Sequence, residues 1–186
     1  MTDVSSSNGS PENLTVNHFQ PDIGPEASGP LAGAGNEDPR HVENSSFSGV
    51  ELLRIDHVGI AVPDLEEAIR FYAENLGLRC VHQETNDEQG VREAMLAVGD
   101  GTGPKLQLLA PLRPDSAIAK FLGRSGPGLQ QLAYTVADVE KASDALRAKG
   151  LRLLYDTPRR GTAGSRINFV HPKDAGGVLV ELVEPA

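Results

Sequence analysis

The sequence predicts an α+β fold made of two tandem β-α-β-β-β modules, and three observations predict it. Four polar residues interrupt otherwise apolar runs as two pairs with one spacing: His57 and Gln131 lie 74 residues apart, and so do Gln107 and Glu181. The flanking sequence keeps that frame, because LLRIDHVGIAVPDLEEAIRFYAENLGL lines up with PGLQQLAYTVADVEKASDALRAKGL and Asp64 falls on Asp138. The second helix is one residue shorter, so that Leu78 falls on Leu151. Repetition of this kind signals two copies of one supersecondary unit, and a break in composition near residue 50 sets both copies apart from what precedes them.

Each element has its own local reason. The run from Leu52 to Val62 is rich in Val, Ile and Leu and reads as a strand. Pro63 and Asp64 then break the strand and offer an N-cap to an amphipathic helix, whose apolar positions Leu65, Ala68, Ile69, Tyr72 and Leu76 recur at helical spacing. Gly77 is its stop. Strands are expected near residues 79–83, 91–98 and 105–110, which completes a first module at about 52–110. A linker, residues 111–128, holds a short helix starting near Asp115 or Ser116 and ending around Gly123. The second module, about 128–185, repeats the order: a strand at 130–136, a helix at 138–149 ended by Gly150, and strands at 151–155, 167–171 and 178–183.

Composition separates a tail from a domain. Residues 1–50 carry seven Asp and Glu against Arg40 alone, with no Lys, and scatter Ser, Asn, Gly and Pro through SSSNGSPEN, GPEASGP and GAGNEDP. Such a segment has too little apolar surface to offset its ordering entropy and is expected to be disordered. The tail holds −6 of the net charge of −9, leaving −3 on residues 51–186. That mild acidity argues against nucleic-acid binding. The N-terminus has neither a basic start with an apolar run nor an Arg-rich, acid-poor character, and no apolar stretch reaches the roughly 20 residues of a membrane span. With Cys80 as the lone cysteine, no intrachain disulfide framework exists. A cytoplasmic protein is the expectation, with no membrane association.

The four paired polar residues carry the chemistry. A buried, unpaired carboxylate at Glu181 within VLVELV would cost several kcal/mol, so it needs a cation, strong hydrogen bonds or exposure. Gln107 in KLQLLAP repeats the same anomaly. His57 shares a strand face with Ile55 and with Gly59, whose lack of a side chain leaves room beside it; Gln131 can offer a carbonyl oxygen. Together these are one imidazole nitrogen, two amide oxygens and a carboxylate. That hard donor set suits Co²⁺, Mn²⁺, Mg²⁺, Ni²⁺ or Fe²⁺ better than a thiolate site would.

The stretches RIDHVGIAVPDLEEAIRFYAENLGL, EQGVREAML, LQLLAPLRPDSAIAKFL and SRINFVHPKDAGGVLVELVEP, in that order, resemble methylmalonyl-CoA epimerases of the vicinal oxygen chelate superfamily. The resemblance covers about residues 53–185. It implies a curved mixed sheet cradling a divalent metal, Co²⁺ foremost, with His57, Gln107 and Glu181 as ligands. The fourth ligand of the family is usually the second His of an HH pair; here the pair is Gln130-Gln131, so Gln131 takes that place. The implied reaction is epimerisation of methylmalonyl-CoA between its 2R and 2S forms through an enolate. Glu93 in GVREAML matches the family's acid/base glutamate that does not bind metal. For the opposite face the candidate is Glu181, acting directly or through a water. Arg159, Arg160, Arg166 and Lys120 are candidates for the carboxylate or the coenzyme phosphates; His82 and His171 are not expected to be ligands. A homodimer with an acyl-CoA substrate follows from the resemblance. The acyl group stays open, and a binding protein of the same fold with little metal is the alternative.

Overall fold

A computed structural model describes residues 50–186; the expected tail lies outside the described residues, Val50 excepted. The first module runs β1 (Arg54–Ala61), α1 (Leu65–Leu76), β2 (Arg79–Asn86), β3 (Val91–Ala97) and β4 (Lys105–Pro111). After α2 (Ala117–Ser125) the second runs β5 (Gly128–Thr135), α3 (Val139–Ala148), β6 (Arg159–Arg160), β7 (Arg166–Val170) and β8 (Leu179–Glu184). Among the described residues the eight strands form one mixed sheet in the order β2-β3-β4-β1-β5-β8-β7-β6. The modules meet where β1 and β5 pair antiparallel, and each of those strands pairs parallel with the last strand of its own module.

The repeat extends to strand register. Every β1–β4 partner pair, such as His57 with Lys105 and Gly59 with Gln107, recurs 74 residues later as a β5–β8 pair, Gln131 with Leu179 and Ala133 with Glu181. Alternation then sorts the faces. Leu96, Leu108, Ala94 and Ala110 point to α1 and pack with Val62 and Leu65, while Val136, Val139, Ala142 and Leu182 make the matching core under α3. Burying a Leu of this kind stabilises by roughly 1.5–3 kcal/mol. The opposite, concave face therefore receives the residues of the other parity: His57, Glu93, Gln107, Gln131 and Glu181.

Local signals place the helices. The Asp64 carboxylate accepts from the Glu67 N–H, Asp138 does the same for Lys141, and Ser116 for Ala119. Gly77 ends α1 in the left-handed conformation at φ 69°, where a β-carbon would be strained. The linker helix continues to Ser125, two residues past the expected stop, because Gly126 rather than Gly123 takes the cap position, at a positive φ of 71° that favours glycine.

The strand expected at residues 151–155 is absent. Leu153 makes only an isolated bridge to Val170. Two backbone bonds flank that bridge, from the Leu154 N–H to the Phe169 carbonyl and from the His171 N–H to the Arg152 carbonyl, but from Tyr155 onward side chains take over: Asn168 accepts from the Tyr155 N–H and donates to its carbonyl, and Arg147 donates to the carbonyls of Tyr155 and Asp156. Pro158 offers no N–H to a ladder, so pairing resumes only at Arg159, opposite Ile167. Among the described residues no helix is long and apolar enough to cross a membrane.

Candidate active site

The four paired polar residues converge on one point of the concave face, two from each module. His57 Nε2 lies 3.1 Å from Glu181 Oε2, and the Gln131 amide nitrogen lies 2.5 Å from Glu181 Oε2, 3.2 Å from Gln107 Oε1 and 3.4 Å from His57 Nε2. All four side chains are between 3% and 6% exposed. Gly59 makes the arrangement possible, since a β-carbon there would stand 2.5 Å from Gln131 Cγ.

Two β-bulges shape this centre. Between Ile55 and His57, β1 takes two steps while β5 takes one, which leaves Asp56 as an extra residue. Its carboxylate turns to the same side as His57, accepting from His57 Nδ1 at 2.9 Å and from the Thr135 hydroxyl at 2.7 Å. Farther on, β5 takes two steps between Gln131 and Leu129 against one on β1, which makes Gln130 the extra residue. Gln130 and Gln131 consequently line the same cavity, and Gln130 Oε1 is buried without a hydrogen-bond partner.

Charge in this centre favours a cation. Burial pulls the imidazolium of His57 down, yet the hydrogen bonds and charges of Asp56 and Glu181 outweigh it, and the group is pushed up to about 9. Asp56 in turn is lowered to about 2, chiefly by its hydrogen bond to His57. Among the described residues no group of three or more His, Cys, Asp or Glu is placed to hold a metal; the convergent set contains only two of those types, His57 and Glu181. Its other donors are amides, and Gln131 would have to present Oε1 rather than its nitrogen. With that orientation the set offers three oxygens and one imidazole nitrogen, which fits a hard or borderline divalent ion. The Asp56–His57 pair orients the imidazole as carboxylates commonly do behind metal-bound histidines.

Glu93 sits one side chain behind this set. Its Oε2 accepts from Gln107 Nε2 at 2.8 Å, whereas Oε1 is buried with no partner. Burial raises its carboxyl to about 7; a hydrogen bond with Thr162 opposes this, and the charge of Glu84, its cross-strand neighbour on β2, adds to it. Glu84 is itself held low: burial opposes this, and hydrogen bonds from His82 and the Ala163 N–H overcome it.

The short 3-10 turn Thr162–Gly164 lies across the site. Thr162 Oγ1 accepts from Gln107 Nε2 at 3.0 Å, and Thr162 lines the cavities on both sides of the turn, as Glu181 does. Ala163 is the only non-glycine among the described residues with positive φ, at 54°. Strain of that kind gathers where a loop is held for function.

Of the basic candidates, Arg159 lines the cavity that holds Gln107 and Gln131, stacked 4.1 Å from the centre of the Tyr155 ring. Arg166 is turned outward, bound to Glu140 and Glu184, and neither Arg160 nor Lys120 lines a described cavity. His171 caps a turn by accepting from the Lys173 N–H, and His82 pairs with Glu84. Asp56, Thr135, Thr162 and Gln130 escaped the sequence reading. The oversized polarity of RIDH was the one visible hint for Asp56.

Fold and site define the class, and the chain belongs to the Glyoxalase/Bleomycin resistance protein/Dioxygenase superfamily, whose family model matches residues 56–169. It is 57% identical to the methylmalonyl-CoA epimerase of Mycobacterium tuberculosis, whose crystal structure superposes with a TM-score of 0.71 over 75% of this chain and 91% of that one. A Streptomyces coelicolor methylmalonyl-CoA epimerase variant in complex with 2-nitronate-propionyl-CoA is 50% identical, with a TM-score of 0.69 over 73% of this chain and 99% of the other. The ethylmalonyl-CoA/methylmalonyl-CoA epimerase of Cereibacter sphaeroides is 37% identical over 69% of this chain and 96% of its own length. Within the superfamily these relatives put the chain in the methylmalonyl-CoA epimerase branch.

Proposed function

We propose that this chain epimerises methylmalonyl-CoA, interconverting the 2R and 2S forms by removing the α-proton and returning one to the opposite face. The observation that carries the reading is a buried carboxyl with an unpartnered oxygen, Glu93 Oε1, beside the convergent set of His57, Gln107, Gln131 and Glu181. A proton between a thioester and a carboxylate is acidic enough for a general base whose pKa lies near the working pH, and Glu93 is raised to about 7.

In this reading Glu93 Oε1 takes the proton while Gln107 Nε2 holds Oε2 and fixes the carboxyl plane. The electron pair of the broken C–H bond moves into the thioester, and its oxygen gains negative charge. A divalent ion held by His57, Gln107, Gln131 Oε1 and Glu181 would supply Lewis-acid stabilisation of that charge. Glu181, which lines the cavities on both sides of the turn, delivers a proton to the other face, directly or through a water. Burial keeps bulk water from quenching the carbanionic carbon unselectively.

The relatives named for this substrate support the reading, and the Cereibacter protein is named for the ethyl homologue as well. One methylene in an apolar pocket discriminates by only about 1–3 kcal/mol, so both acyl groups belong to the proposal. Co²⁺ as the resident ion and a homodimer are parts of the same reading, supported by the sequence resemblance; the cytoplasmic location expected from composition belongs to the proposal as well.

Proton NMR of racemic methylmalonyl-CoA in D₂O tests it. Metal-stripped protein should leave the α-proton signal, Co²⁺ should restore its loss, and Glu93→Gln should abolish that loss. Absence of exchange with each of the five candidate ions, while the thioester still binds, would overturn the reading in favour of a binding protein.

A further inference from the structure

Each turnover of the proposed reaction leaves Glu93 with a proton gained and Glu181 with one given up. A second turnover in the same direction requires Glu93 to shed its proton, yet Glu93 is only 3% exposed. We infer that Glu84 and His82 form a proton relay connecting Glu93 to solvent on the β2 side of the site. The relay rests on the epimerase reading above and goes beyond it in naming how the base is reset.

Strand register builds the path. Glu84 on β2 stands directly opposite Glu93 on β3, where β-carbons lie roughly 4.5–5.5 Å apart, and the two carboxyls come within hydrogen-bonding reach of one another. Like charges placed opposite each other destabilise a sheet; a proton between them turns the clash into a hydrogen bond. One step outward, His82 Nε2 lies 2.6 Å from Glu84 Oε2. The N–H of Ala163, in the strained turn over the site, donates to that same oxygen at 3.1 Å, so Oε1 is the oxygen left to meet Glu93. Between Cys80 and His82, β2 takes two steps while β3 takes one, which makes Val81 an extra residue. Beyond that bulge His82 and Glu84 alternate onto the face that carries Glu93, and Val81 and His82 both line a cavity of about 360 Å³ beside His57. Exposure climbs along the line, from 3% at Glu93 through 17% for the Glu84 side chain to 38% for that of His82. On the other side of Glu93, Gln107 Nε2 is a donor without acceptor capacity and cannot take the proton on. The O–H bond of protonated Glu93 breaks as one forms on Glu84, which stays ionised between turnovers through its bonds from His82 and Ala163. That bond breaks in turn as an N–H bond forms at Nε2 of a neutral His82 ring, and the Nδ1 proton of the resulting imidazolium passes to water. One proton enters the pair and one leaves, and imidazole changes charge near neutral pH, which suits it to the outer step.

The test gives the Co²⁺-loaded full chain a single epimer of methylmalonyl-CoA in D₂O and reads two quantities: the opposite epimer formed, and the deuterium found in the starting epimer that is recovered. A proton that leaves Glu93 for solvent is replaced by deuterium before it can return, whereas a trapped proton goes back as protium. Both epimers are run, because only the one facing Glu93 reports on the relay. Glu84→Gln keeps an acceptor for the Ala163 N–H but passes no proton, and His82→Ala removes the outer end; melting curves check that both fold. Each should lower the ratio of deuterium returned to epimer formed about tenfold or more for the epimer facing Glu93, with KM unmoved. Added imidazole should restore the ratio in His82→Ala by standing in for the missing ring, a response that a merely structural role would not produce. A ratio that falls and ignores imidazole overturns the relay. So does a ratio unmoved in both variants while the wild type epimerises, and the task then passes to the Thr162 hydroxyl, which also bonds Glu93; in either case the epimerase reading stands. Wild-type protein that exchanges no α-proton overturns that reading itself, and the relay with it.

Discussion

Gly59→Ala should damage the site from a position that touches no substrate. A β-carbon at Gly59 would lie 2.5 Å from Gln131 Cγ, 3.1 Å from its Cδ and 3.3 Å from Leu109 Cδ1. Carbon atoms in favourable contact sit roughly 3.5–4.0 Å apart, so the overlap with Cγ is about 1 Å. Because Cγ lies near the root of the side chain, a tip rotation cannot relieve it, and Gln131 must leave its rotamer. Overpacking of this sort costs about 1–3 kcal/mol. The contacts of Gln131 to Glu181 and Gln107 are lost with it, so we expect about 2 kcal/mol in urea unfolding of the metal-free protein. In a Gln131→Ala background Cγ is gone, and the same substitution should cost less than about 0.5 kcal/mol, leaving a coupling near 2 kcal/mol. Equal costs in both backgrounds would refute the reasoning and move the strain to Leu109.

Other outcomes follow from the same geometry. Asp56→Asn removes the carboxylate behind His57 and should weaken Co²⁺ binding to the stripped protein about 10–100-fold by calorimetry; an unchanged affinity would deny Asp56 its orienting role. Glu93→Gln should reduce α-proton exchange by about 10²–10⁴ while leaving thioester affinity close to wild type. Since only the ionised carboxylate accepts a proton and burial raises Glu93 to about 7, exchange for the epimer facing it should rise with pH through about 7 and fade below; a profile flat from pH 5.5 to 8.5 would contradict that. Asn168→Ala removes a fully buried amide bonded to Ser143 and to both backbone groups of Tyr155, and should cost about 2–4 kcal/mol, with hydrogen exchange at the Tyr155 amide rising more than at α1.

What the sequence made legible follows from periodicity. The spacing that pairs His57 with Gln131 and Gln107 with Glu181 reappears as register, because strands of equal length and equal alternation must pair equivalently. The helix caps at Asp64 and Asp138 were readable for a similar reason, since a capping side chain bonds within its own turn. Features that depend on the partner strand were not. No pattern in RIDHVG announces that Asp56 is an extra residue, and nothing in GLQQLA tells Gln130 from a residue on the outer face; both bulges arise from how β1 and β5 accommodate each other. The strand expected at residues 151–155 shrinks to one isolated bridge with two flanking backbone bonds because Arg147 and Asn168, on other elements, claim the backbone groups from Tyr155 onward. Thr162 was hidden in a glycine-rich loop whose position over Gln107 is set by contacts to β2.

The even division of donors between the modules carries a consequence for how the molecule works. His57 and Gln107 belong to one half, Gln131 and Glu181 to the other, and the seam between the halves is the antiparallel pairing of β1 with β5. Neither half alone contains a site. Any opening of that seam separates the donors at once, so an ion bound among them would act as a rivet across the seam, and the tightness of the rivet and the cohesion of the two halves would be one thermodynamic quantity measured in two ways.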